Sequence, residues 1–130
     1  MARTFLLLGS VFAFLAVALG AFGAHALKKS LTADQLAIYQ TGVQYQAIHA
    51  LALLIVGILA IVLKEPGKLK IAGWLFAIGI AIFSGSLYAL AISGEKWLGA
   101  ITPLGGVCFL VGWGCVIWSA ASLREYSSSS

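Results

Sequence analysis

Apolar residues gather in four long runs, Thr4 to Leu27, Ala47 to Leu63, Leu69 to Ile92 and Leu98 to Ala121. Lys70, at the edge of the third, is the one Asp, Glu, Lys or Arg within them. Each run approaches or exceeds the roughly 17–25 residues that a helix needs to cross a bilayer. A strand edge in lipid would leave backbone groups unsatisfied, so each run is expected to be a helix. The pattern predicts an all-α fold, a four-helix bundle integral to the membrane. One span domain covers 1–126, and the serines at 127–130 read as a disordered tail.

The link between the first two runs is too patterned for a loose loop. Thr32 and Gln35 fit a capping box. Leu36, Tyr39, Val43 and Ala47 then recur at helical spacing. A short amphipathic interfacial helix between the first and second spans, running into the second, is expected. Arg3, the apolar stretch and Ala24-His25-Ala26 also look like a secretory signal with a cleavage site. The run is long for a signal, so it is read as a span.

Composition narrows the class. Of 130 residues, 62% are hydrophobic and 9% charged, against about a quarter charged in a soluble domain. Mean hydropathy is +1.04, and lipid is the solvent that suits such a surface. The net charge of +4 is scattered over the loops, so no basic face for nucleic acid forms. Arg3, Lys64, Lys68, Lys70 and Arg124 fall on one side, against Lys28, Lys29 and Lys96 on the other. That excess places both termini in the cytoplasm. Cys108 and Cys115 on one helix would stand roughly 10 Å apart along its axis, too far for a mutual disulfide.

Small residues recur with a period. They are Gly73, Ala77, Ala81, Gly85, Ala89 and Ser93 in the third span, Gly105, Cys108, Gly112, Cys115, Ser119 and Ser122 in the fourth, and Gly9, Ala13, Ala16, Gly20 and Gly23 in the first. Lipid gives helices no hydrophobic reason to associate, so close backbone approach must supply the contact. Gly20, Gly23, Gly73, Gly85, Gly105 and Gly112 are read as packing positions. Trp74, Trp97 and Trp118 lie near span ends, where indoles favour the interface. Trp113 lies deeper, which suggests packing between helices.

Polar side chains inside a membrane are costly, so their placement is the sharpest functional signal. His25 lies about 5 Å inside the end of its helix and His49 at a matching depth on the next. Gln40, Gln44, Tyr45 and Gln46 lead into the second span, while Ser84, Ser86 and Tyr88 end the third and Thr102 opens the fourth. Given four spans, these ten residues collect in the half away from the termini. They either brace one another or line a pocket for a lipid head group, quinone or small polar molecule. His25 and His49 could ligate a metal or haem, but two histidines with no Cys or carboxylate at depth do not make a metal set. No nucleophile, base and acid fall at a recognisable spacing, so no catalytic residue, cofactor or enzyme activity is assigned.

The strings Gly20-Ala-Phe-Gly-Ala-His25-Ala-Leu27, Tyr39-Gln-Thr-Gly42, Tyr45-Gln46, His49-Ala-Leu-Ala-Leu53, Phe83-Ser-Gly-Ser86-Leu-Tyr88, Ile101-Thr-Pro-Leu-Gly-Gly106 and Gly112-Trp113 resemble the signature blocks of one family. It is the small YgdD/YwdK-like membrane proteins, grouped as domain of unknown function 423 and including transmembrane protein 256 of animals. The resemblance covers almost the whole chain. It implies a four-span protein of unassigned activity, in the inner membrane in bacteria, and lends no reaction or cofactor. The expected function is binding of membrane lipid, a small molecule or a partner subunit through the polar half. The alternatives are a small transporter or channel acting as an oligomer, and a quinone- or haem-associated subunit.

Overall fold

The computed structural model describes residues 1–64 and 66–123; the tail expected over 127–130 lies outside them. Helix α1 spans Ala2–His25 and α2 spans Ala33–Leu63. The third span is α3, Pro66–Gly79, then a π-helical turn at Ile80–Ser84 and α4, Gly85–Ser93. A 3₁₀ turn at Lys96–Ala100 leads into α5, Thr102–Ala121. All four spans are long and apolar enough to cross a membrane.

Local chemistry sets the ends. Thr32 and Gln35 form the capping box, with the Gln35 amide donating to Thr32 Oγ1 at 3.1 Å and the Thr32 amide to Gln35 Oε1 at 2.9 Å. Gly94 takes φ +75° and donates its N–H to the Leu90 carbonyl, a left-handed stop that glycine tolerates. Pro103 sits in the first turn of α5, where its missing N–H costs nothing. The stretch expected as a short interfacial helix is not a separate element. Between Ala33 and Leu63 nothing breaks the helix, so residues 33–46 are the first turns of one 31-residue α2.

The helices run up and down in sequence. Phe5 stacks edge-on against Trp74, and Lys68 Nζ donates to Ser122 Oγ at 2.8 Å while lying 4.6 Å from the Trp118 ring centroid. The start of α1, the start of α3 and the end of α5 therefore share one end of the bundle. α2 and the third span form the buried centre, with α1 packed on α2 and α5 on the third span. Phe5, Leu53, Val56, Leu69, Phe76, Ile80 and Phe109 make up much of the core.

Glycines set the helix spacing, though not all those expected. A Cβ on Gly105 would collide with the Phe83 backbone nitrogen, and one on Gly73, Gly23 or Gly112 would enter the ring of Phe5, Tyr39 or Phe76. Gly20 makes ordinary contact with Val43. Gly85 is the correction: it is exposed, and a Cβ there would meet nothing within 4 Å. A strict four-residue step overshoots the 3.6-residue turn by about 40° each time, and the wider π turn at Ile80–Ser84 breaks the phase of the stripe. Gly73 and Ala77 are buried, whereas Ala81, Gly85, Ala89 and Ser93 are exposed. Gly9, Gly42 and Gly79 have close contacts instead, with α2, Tyr88 and Phe109.

Gly105→Ala is therefore expected to destabilise the bundle by about 1–3 kcal/mol, the cost of overpacking. Gly85→Ala should be neutral or slightly stabilising, since it only removes backbone freedom. Denaturant unfolding in mixed micelles measures both.

Candidate functional site

Hydrogen bonds organise the bundle between its middle and the end away from the start of α1. Gln46 is buried and does two jobs. Its Nε2 donates to the Phe12 carbonyl on α1 at 2.9 Å, and its Oε1 accepts from Tyr88 Oη on α4 at 2.6 Å. Tyr39 Oη donates to the Leu19 carbonyl at 2.6 Å, closing α2 on α1 a few turns away. Ser84 Oγ donates to the Gly42 carbonyl at 2.7 Å, so the π turn is bonded to α2. Ser86 and Thr102 pair their hydroxyls at 2.5 Å between α4 and α5. These side chains are all engaged within the protein.

His49 stands apart from that network. It is 3% exposed, near the midpoint of α2, and faces α5. Nδ1 lies 2.8 Å from the Tyr45 carbonyl, and Nε2 lies 2.9 Å from the Trp113 indole nitrogen. A carbonyl can only accept and an indole N–H can only donate. Together they fix His49 as a neutral imidazole with its proton on Nδ1 and its lone pair on Nε2. The ring stacks on Phe109 with centroids 3.6 Å apart and planes 9° from parallel.

Beside this pair a cleft of about 400 Å³ opens sideways between α2 and α5. His49, Tyr45, Phe83, Phe109 and Trp113 form its inner walls. Pro103, Gly106, Val107 and Leu110 complete it along α5, with Val107 and Leu110 on the outer surface of the bundle. The floor depends on the π turn: Phe83 lies 4.7 Å from the Tyr45 ring and 5.3 Å from Phe109, while its neighbour Ser84 faces α2.

The ten sequence candidates thus divide. Gln46, Ser84 and Tyr88 join α2, α1 and the third span, and Ser86 with Thr102 joins α4 to α5. His49 and Tyr45 line the cleft. Gln40, Gln44 and His25 are exposed and outside both groups. The equal depth expected of the histidines is corrected. Gly23 meets Tyr39 and Gly9 meets Ala50, so His25 lies beside the first turns of α2, roughly 18 Å along the axis from His49 at 1.5 Å per residue. One metal or haem iron cannot take both as ligands. The error follows from starting the second span at Ala47 rather than Ala33. Trp113, Phe109 and Phe83 were not among the candidates. An indole N–H in mid-span needs an acceptor, and that requirement pointed to His49.

Gln46→Leu should lower stability by about 1–2 kcal/mol, because it leaves the Tyr88 hydroxyl without its partner. Gln44→Leu, on the exposed face, should change stability by less than about 0.5 kcal/mol. The same micellar unfolding measurement distinguishes them.

A family model described as "Protein of unknown function (DUF423)" matches residues 19–106. The chain is 48% identical over 118 residues to UPF0382 membrane protein YwdK of Bacillus subtilis, covering 91% of this chain and 96% of that one. It is 40% identical over 129 residues to UPF0382 inner membrane protein YgdD of Escherichia coli, covering 95% and 93%. No solved structure matches. The family match and the identity along nearly the whole chain show that this four-helix membrane protein belongs to the DUF423 family.

Proposed function

We propose that the protein is a non-enzymatic binding protein of the bacterial plasma membrane, with both termini cytoplasmic, that takes a lipid-soluble molecule from the bilayer into the cleft between α2 and α5. The observation that carries this reading is a buried, neutral imidazole at mid-bundle beside a cavity open to lipid. A polar residue at that depth in a membrane helix is costly and usually marks a function. The volume lies within the range of small-molecule sites, and mostly apolar walls with a few polar groups, here the His49 imidazole, the Trp113 indole N–H and the Tyr45 hydroxyl, are their usual make-up. The network around Gln46 and Tyr88 acts as a brace in this reading, and holds α2 and the π turn where the cleft needs them.

The location has separate support. The name of YgdD places that relative in the inner membrane, and by sequence the lysine and arginine excess falls on the side of Arg3 and Arg124.

Gly106→Leu tests the site. A Cβ on Gly106 would stand 3.9 Å from the Phe83 ring, an ordinary contact, and the rest of the leucine side chain is expected to extend into the cleft that Gly106 lines. Native mass spectrometry of protein extracted with its lipids should show retention of a lipophilic guest fall by at least about 10-fold, or 1.4 kcal/mol, with the melting temperature preserved. Unchanged retention would refute the site.

A further inference from the structure

We propose that the cleft selects a neutral lipophile carrying a hydroxyl on or beside a flat ring, an alcohol or phenol of the membrane. This rests on reading the cleft as a binding site, and adds what the site demands of its ligand. The Tyr45 carbonyl holds the His49 proton on Nδ1, so Nε2 can only accept. The Trp113 indole now supplies that hydrogen bond, and an indole can only donate. A group entering between the two must donate to His49 and accept from Trp113 with the same atom. A hydroxyl does both. A carbonyl, ether or ester oxygen accepts only, and would leave the imidazole lone pair buried and unpaired.

Trp113 is the member of the pair able to give way. It is 37% exposed, while His49 is 3% exposed and stacked on Phe109. The aromatic side chains of Tyr45, Phe83, Phe109 and Trp113 line the cavity, which suits a planar ring over a bulky branched group. The residues lining the cleft include no Lys, Arg, Asp or Glu, so an ionised head group would lie there without a counter-charge. About 400 Å³ holds a ring and a few methylenes, and a longer tail can extend through the open side into lipid.

The test uses two probes that differ at one atom group. Protein labelled with ¹⁵N in phosphatidylcholine nanodiscs is titrated with 4-octylphenol and, separately, with its methyl ether 4-octylanisole. The phenol is expected to bind about 5- to 10-fold more tightly, the factor of one net hydrogen bond, and to shift both the Trp113 indole and the His49 Nε2 resonances. His49→Phe keeps a ring against Phe109 and should bring the two affinities together. Equal affinity of the two probes in the native protein, with the cleft resonances shifted, would overturn the hydroxyl requirement and leave the binding site standing. Neither probe shifting those resonances would overturn both.

Discussion

Lipid offers no hydrogen bonds, so a polar side chain buried within a membrane bundle is costly unless another part of the chain answers it. In this protein that constraint determines how the helices meet. Gln46 reaches α1 through the Phe12 carbonyl and α4 through the Tyr88 hydroxyl. It can satisfy both ends of its amide only if α2 lies between those two helices. The resulting bundle has α2 and the third span at its centre and α1 and α5 on its flanks. Hydrogen bonds choose the neighbours, and van der Waals contact at glycines then sets the distances.

The π turn is where these two requirements meet. An α-helix running unbroken from Pro66 to Ser93 would keep one face towards α2 and α5. The wider turn at Ile80–Ser84 lets Phe83 pack among the rings beside α5 while Ser84 bonds the α2 backbone at Gly42. Such turns occur often at functional sites, and here the turn supplies one wall of the cleft. Gly105, pressed against the Phe83 backbone, fixes α5 to this irregular segment.

Much of the architecture was legible in the residues. Four apolar runs can do little else than span, and Thr32 with Gln35 marked the start of α2. Gly23, Gly73, Gly105 and Gly112 were readable as contact points because small residues are what membrane helices pack through. What could not be read was rotation. Gly85 fitted the spacing but faces outward, since neither the drift of a four-residue period nor the π turn shows in a stripe of small residues. Depth failed at His49 for a related reason. Polar residues such as Gln40 and Gln44 suggest a span end, yet a helix can carry them on an exposed face without ending. The cleft combines residues from three spans, and periodicity along single helices does not align one span against another.

At the centre of the proposed chemistry stands His49, a neutral hydrogen-bond acceptor at the edge of a lipid-facing cavity. Its ring nitrogens report this directly through the ¹⁵N spectrum of the protein in nanodiscs without added ligand, with the Trp113 indole observed alongside. The structure predicts a protonated Nδ1, an unprotonated Nε2 and an indole proton shared with that Nε2. A proton on Nε2, or protons on both nitrogens, would contradict it, because Trp113 could then no longer donate to His49 and the cleft would lose the acceptor on which its chemistry depends.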